Sequence, residues 1–380
     1  MKILKPETEA ELADLVREAG EPLRIEGGGT RPLGRQVNGA PLSTAGLTGI
    51  ELYEPGALTM IVKAGTPLAE VEAALAEAGQ RLAFEPMDHR GLLGTKGEPT
   101  IGGVFAANVS GPRRIQCGAA RDFLLGVRFV DGQGRVIRNG GRVMKNVTGY
   151  DLVKLMAGSF GTLGILTELS LKVMPDVARA VTLRGTGLAD RVAVRALCRA
   201  LGSPHGVTGA AHLQRGTEGE AETLIRLEGS ESSALYRARK LWALLQDFGD
   251  FAIEAEGASR TWHRVRDVVP FHDRPGDVWR LSVKPTDAPE IVARIDGSEA
   301  IYDWGGGLVW ILVPQGMAAG TIRLAVAARG GHATLIRGNA TAEAFQPVAA
   351  PVAALQEGLR QRFDPRGILN PGLMREATMP

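Results

Sequence analysis

The residues of this chain best suited to chemistry are glycines, gathered in three blocks ahead of residue 168. The first is Gly27-Gly28-Gly29-Thr30, directly after a short apolar segment. Consecutive glycines let backbone N–H groups converge on an anion, because positive φ costs them little and no Cβ blocks the approach. A tight turn would use the same residues. The second block runs from Thr100 through Ile101, Gly102, Gly103, Ala106, Ala107 and Asn108 to Gly111. Its small residues suit either a helix N-terminus open to a diphosphate or close helix packing. The third, Gly158-Ser159-Phe160-Gly161-Thr162-Leu163-Gly164-Ile165-Leu166-Thr167-Glu168, comes near a dinucleotide fingerprint. A Rossmann fingerprint follows a strand and opens a helix, with an acidic residue ending the next strand. This block opens a strand and lacks that acid, so a nicotinamide site is the weaker reading.

Composition narrows the redox options. The chain has 380 residues, 44% of them hydrophobic and 23% charged, with 44 basic against 42 acidic residues. That is the balance of an ordinary globular protein of two or three domains. A net charge of +2 with no basic block argues against nucleic-acid binding. The only cysteines, Cys117 and Cys198, exclude a disulfide framework and fall short of the roughly four thiolates an iron–sulfur cluster needs. No haem-attachment motif occurs either, so redox chemistry here requires an organic cofactor. The first residues lack a signal-peptide core, and no apolar run is long enough to span a bilayer. A cytoplasmic location follows, with attachment to a membrane through a partner left open.

The six histidines, at 89, 205, 212, 263, 272 and 332, stand singly, none four residues from another. No metal site is therefore expected. His332, in a Gly-rich stretch, is the one to test as a base, although a structural role is the commoner fate of such a residue. His89 reads as a solvated or hydrogen-bonded surface residue. Arg280 and Lys284 are available to a substrate carboxylate, though isolated basic residues usually face solvent.

The elements that must position these blocks are partly visible. Thr8 and Glu11 form a capping-box pattern ahead of Leu12, Leu15, Val16 and Ala19, with Gly20 as the stop. Residues 22–26 and 58–63 read as strands. Thr66 caps a helix with Pro67 at its first position, Leu68, Val71 and Leu75 facing inward, and Gly79 closing it. Residues 85–103 carry no periodicity and read as a long functional loop. Residues 123–138 read as strand, turn over Asp131-Gly132-Gln133-Gly134, and strand. Beyond Pro175 the texture becomes Ala-, Arg- and Leu-rich, with helices expected around 190–201 and 232–248. The run Phe363–Gly372 is turn-rich and suits a closing strap.

Taken in order, the blocks resemble the vanillyl-alcohol oxidase or PCMH-type FAD-binding family. GGGT is similar to its pyrophosphate loop, TIGG with Asn108 and Gly111 to its diphosphate and ribityl segment, and GSFGTLGILTE to the segment beside the isoalloxazine. Arg121–Gly126 with DGQGRVI, Lys145–Leu152, and the strap FDPRGILNPG are similar too. The resemblance implies an α+β protein: a PCMH-type two-subdomain FAD-binding domain over residues 1–175, a smaller α+β domain over 176–345, and a strap over 346–380 returning to the FAD domain. It assigns to the cofactor Gly27, Gly28, Gly29, Thr30 and Gly34 from the first loop, and Pro86, Asp88, Thr100, Ile101, Gly102 and Gly103 from the second region. Asn108, Gly111, Arg113, Gly161, Gly164 and Ile165 complete that set. Many members hold FAD covalently through a histidine in the first loop; Thr30 stands there, so FAD is expected to be non-covalent.

The Trp304–Trp310 segment is similar to the FAD-binding component of bacterial glycolate oxidases (glycolate dehydrogenases). That resemblance implies an FAD-dependent oxidoreductase converting glycolate, a small 2-hydroxy acid, to glyoxylate within a hetero-oligomer. Its partners would be a second, homologous flavoprotein subunit and an iron–sulfur subunit that takes the electrons. The metal-binding H-x-G-D-G-N-x-H motif of related D-2-hydroxy-acid dehydrogenases is missing, so substrate oxidation by this chain itself is in question. A self-contained flavin oxidase and a structural FAD-binding subunit are the competing readings.

Overall fold

The computed structural model describes residues 3–143, 149–338 and 343–374. Its architecture follows from two antiparallel sheets whose facing sides share one hydrophobic core. The five-stranded sheet runs in the order Ile50–Glu54, Thr59–Lys63, Ile165–Lys172, Leu124–Val130 and Val136–Gly140. Its central strand, Ile165–Lys172, pairs with Thr59–Lys63 on one side and Leu124–Val130 on the other. The third glycine block therefore ends by entering the middle of a sheet, which fixes its position.

The eight-stranded sheet runs in the order Phe251–Glu254, Arg179–Thr186, Glu222–Gly229, Val207–Leu213, Glu299–Asp303, Leu308–Val313, Asp277–Ser282 and His332–Arg337. Strict alternation gives it two unlike faces. Trp279, Leu281, Val309 and Ile311 pack beneath helices on the outer face, whereas Val278, Leu308, Trp310 and Leu312 join the core of the five-stranded sheet. Arg280, between Val278 and Ser282 on Asp277–Ser282, shares that inward face and lies opposite Trp310. The expected helices near 190–201 and 232–248 are Asp190–Leu201 and Glu231–Leu244.

Local details refine the sequence reading. Thr8 Oγ accepts from the Glu11 N–H at 3.2 Å, but the Glu11 carboxylate reaches back to the Glu7 N–H, one residue earlier than a capping box requires. Leu12, Ala13 and Val16 are buried, while Leu15 is only half-buried. Thr66 does not cap its helix: its hydroxyl is held by Lys63 O at 2.8 Å and Gly49 N at 3.0 Å, and Pro67 is the N-cap of Leu68–Glu77. The loop 85–103 contains one helical turn, Arg90–Leu93, and enters the helix Ile101–Ala106. Elements of that length are too short to show a period. Within the expected strap lies the helix Ala350–Phe363. Of the Lys145–Leu152 motif, residues 145–148 fall outside the described residues; Asp151 caps Leu152–Met156 by accepting from the Lys154 N–H.

Candidate functional site

The glycine blocks converge on a cavity of about 500 Å³. Strand Leu23–Glu26, paired in parallel with Ala40–Ser43, delivers the first loop to its wall. Gly102, Gly103, Ala106 and Ala107 from the second block, and Phe160, Gly161, Gly164 and Ile165 from the third, form the opposing sides. The strap closes the ring through Asn370. Its side chain accepts from the Ile25 N–H at 2.7 Å and donates to Phe160 O at 2.9 Å, tying the first block to the third.

Backbone donors show where an anion would sit. The N–H groups of Gly28, Gly29, Thr30 and Arg31 have no acceptor among the described residues. Gly29, at φ +70°, faces open space, so four consecutive donors at the cavity wall are left for a ligand. A Cβ on Gly28 would lie 1.5 Å from Glu98 O, which makes glycine obligatory there. The second block behaves differently from the expectation of a free helix N-terminus. Ile101 N donates to Thr66 O, Gly102 N to Ala64 O, and Gly103 N to Thr100 Oγ. Those donors are spent within the protein, and Gly102 is glycine because a Cβ would meet Ala64 O at 2.6 Å. Gly103 alone in this helix combines cavity exposure with room for a ligand, its nearest neighbour being Thr100 Oγ at 3.2 Å.

Of the residues assigned from sequence, Gly27, Gly28, Gly29, Thr30, Gly34, Thr100, Gly102, Gly103, Gly161, Gly164 and Ile165 line the cavity. Six do not, each for a local reason. Pro86 is buried away from it. Asp88 is engaged by the Arg90 guanidinium at 2.9 Å. Ile101 is a core residue. Asn108, at φ +51°, caps the Arg121 N–H at 2.9 Å. Gly111 packs against Glu85 O, where a Cβ would come to 2.4 Å. Arg113 turns into a buried ion-pair cluster between the two sheets, with Glu228 at 2.7 Å and Glu85 at 3.0 Å.

Other wall residues escaped sequence reasoning. His89, expected at the surface, is buried in the cavity wall, with Nδ1 3.3 Å from Met87 O. Burial, and then the charge of Arg31, lowers its pKa to about 3, so the ring is neutral at physiological pH. Arg31 reaches across to donate to Gly103 O at 2.8 Å, and burial lowers its pKa to about 10, leaving it charged. Phe160, at φ +54°, and Asn370, at φ +44°, occupy strained backbone that only the assembled ring explains. His332 and Lys284 are exposed and outside the cavity lining.

Beside the cavity, two residues past its wall at Val109, Gly111 O accepts the Trp304 indole N–H at 3.0 Å. Two guanidiniums lie over the Trp304 ring, Arg114 at 4.6 Å and Arg280 at 5.3 Å from its centroid. Asp303, 3% exposed, accepts from the Trp304 N–H at 2.7 Å. Burial raises its carboxyl to about 7, against the opposing Trp304 hydrogen bond and the charges of Arg226 and Arg280.

The cradle of unpaired N–H groups, the cavity and the ring of glycines fit a dinucleotide cofactor with a diphosphate at Gly28–Arg31. Residues 2–140 match the model of the FAD binding domain. Such a cofactor supplies two-electron acceptance with stepwise electron release. The chain is 38% identical to glycolate oxidase subunit GlcE of Escherichia coli (strain K12), over 93% of this chain and 92% of that one. It is 32% identical to a D-lactate dehydrogenase of Archaeoglobus fulgidus over 46% of this chain and 39% of that one. The fold is that of alkyldihydroxyacetonephosphate synthase, with a TM-score of 0.70 at 17% identity, covering 97% of this chain and 76% of that one. An FAD-dependent oxidoreductase of α+β fold, the chain belongs to the family of glycolate oxidase subunit GlcE.

Proposed function

We propose that this chain is the FAD-carrying subunit of a multi-subunit glycolate oxidase, an enzyme that converts glycolate to glyoxylate and passes electrons to an iron–sulfur subunit. The observation that carries this reading is the near end-to-end match to GlcE, joined to a phosphate cradle built from the chain's own loop. Residues 1–175 with the strap 346–380 form the FAD domain in this reading, and 176–345 the domain that covers it. The cofactor contacts are the eleven assigned residues that line the cavity, to which we add Arg31, His89 and Asn370.

A second flavoprotein subunit of the same family is the expected partner; the chain is 44% identical over 84 residues to glycolate oxidase subunit GlcD of Bacillus subtilis. With two cysteines the chain lacks the thiolates for a cluster, so electrons leave for oxygen or another protein. No helix of the described residues is long and apolar enough to cross a membrane, which fits attachment to the inner membrane through partners. Expressed alone, the chain should show little glycolate-dependent dye reduction, and co-expression with the partner subunits should restore it. Rapid turnover with hydrogen peroxide release by the chain alone would replace this reading with a self-contained oxidase.

A further inference from the structure

We infer that the cleft between the two lobes is a second binding site, which takes a phosphoryl group, carried by a small metabolite or free as inorganic phosphate. The cleft encloses a cavity of about 630 Å³, and its lining shares no residue with that of the cofactor cavity.

The argument begins with buried donors that nothing in the chain satisfies. Among the described residues five buried side-chain polar atoms lack a hydrogen-bond partner, and all five are N–H groups. Arg24 Nε lines the cofactor cavity. Arg323 and Trp279 lie against each other, the guanidinium 5.6 Å from the ring centroid. The other two, Arg81 Nε and Arg179 Nε, belong to residues that line the second cavity. Buried polar groups in native proteins are nearly always paired, so orphans gathered at one cavity call for a partner from outside the chain. Both orphans are donors, which makes that partner an acceptor. Water answers a donor but not a charge, and the Arg179 guanidinium makes no hydrogen bond, ion pair or ring contact among the described residues.

The other charges at the cavity are matched or lie at its edge. Arg113 and Arg226 hold Glu228 and Glu85, and Arg81 reaches Glu228 at 3.2 Å and Asp176 at 3.4 Å. Arg266 holds Asp267 at 2.8 Å. Glu72 and Glu256 are exposed, where water screens them. Backbone donors add to Arg179. The helix Ala258–Arg266 starts in the cavity lining at Ala258 and Ser259, and its N-cap, Gly257, has no side chain to cap it. The first bond back to that cap comes from the Thr261 N–H to Gly257 O at 3.1 Å, so the N–H groups of Ala258 and Ser259 are unspent. A guanidinium fork beside free N–H groups at a helix start suits the three oxygens and the charge of a phosphoryl group. A carboxylate would engage fewer of these donors.

The test uses the FAD-loaded chain, with inorganic phosphate and ribose 5-phosphate as probes at matched ionic strength. Isothermal calorimetry should show saturable binding of at least one probe with no loss of FAD. Tighter binding of ribose 5-phosphate identifies an organic phosphate as the occupant, and equal or tighter binding of phosphate identifies the free ion; either result supports the site. Arg179→Met should weaken binding about tenfold, in line with a lost charged hydrogen bond, and Arg179→Lys should recover part of it. Ser259→Asp suits the helix dipole but sets a negative charge at the cavity. It should weaken binding without lowering the melting temperature, and it decides the matter if Arg179→Met fails to fold. Lys284→Met, outside both linings, should change nothing. The absence of saturable binding, or binding unaltered in Arg179→Met and Ser259→Asp, overturns the inference. Release of FAD by either probe overturns it as well, by assigning the binding to the first loop.

Discussion

Arg113 and Arg114 are adjacent in sequence and meet opposite fates. Arg113 enters a buried cluster in which every charge has a partner: its guanidinium holds Glu228 at 2.7 and 2.8 Å, while Arg226 holds Glu85 at 2.8 and 2.9 Å. Burial by itself would raise the Glu228 carboxyl, but the Arg113 hydrogen bonds and the charges of Arg226 and Arg113 bring it down to about 2. One residue on, Arg114 stacks on Trp304 beside Arg280 with no acid bound to either. The first cluster joins two lobes and is complete. The second is held on an aromatic face instead of by acids. Complete charge pairing ties the two lobes together here, whereas the stacked pair keeps its guanidinium donors unspent.

That contrast is breakable. The largest effect should come from Arg226→Met, which strands Glu85 without its bidentate partner and removes the stack on Trp262 at 4.6 Å. A buried pair broken on one side costs about 3–5 kcal/mol, to be read as a fall in urea midpoint. A smaller and pH-dependent effect should come from Asp303→Asn. The folded carboxyl, near 7, keeps its proton where the unfolded chain has released it, so wild-type stability falls as pH rises from about 4 to about 7. Asparagine keeps an acceptor for the Trp304 N–H and removes the titration. The variant should match wild type at pH 4 and exceed it at pH 8; parallel pH profiles would show that Asp303 ionises normally. Asn370→Ala should act more gently, by about 1–3 kcal/mol, through the unmet Ile25 N–H and Phe160 O, and should loosen FAD along with stability. Thermal unfolding with and without FAD separates the two losses.

The glycine blocks stand out in the sequence, and their convergence is what the family resemblance implies; the structure adds the close approach of Glu98 O to Gly28 and the positive φ of Gly29. The sequence also placed strands at 22–26, 58–63 and 123–138 and, from an Ala-, Arg- and Leu-rich texture, the helices near 190–201 and 232–248. Three features were hidden. Gly102 lines the cavity, yet what demands glycine there is Ala64 O, which a Cβ would meet at 2.6 Å. His89 carries no sequence mark distinguishing a cavity wall from a surface loop. The pairing of Arg113 with Glu228 and the stacking of Arg114 on Trp304 depend on partners more than a hundred residues away, and long-range matching leaves no local pattern.

The central claim is that the first loop and the face at Gly103 hold FAD. Fluorescence titration of FAD into the apo-protein, beside Gly103→Val, tests it most directly. Valine at 103 meets only Thr100 Oγ within the protein, at 3.2 Å from its Cβ, while its branches enter the cavity. The account expects near-stoichiometric FAD in the wild type, released intact by acid. In Gly103→Val it expects an apo-protein melting close to wild type that binds FAD more than about tenfold more weakly, a loss of over about 1.4 kcal/mol. Equal FAD affinity in the two proteins, or a wild-type chain that takes up no FAD, would contradict it.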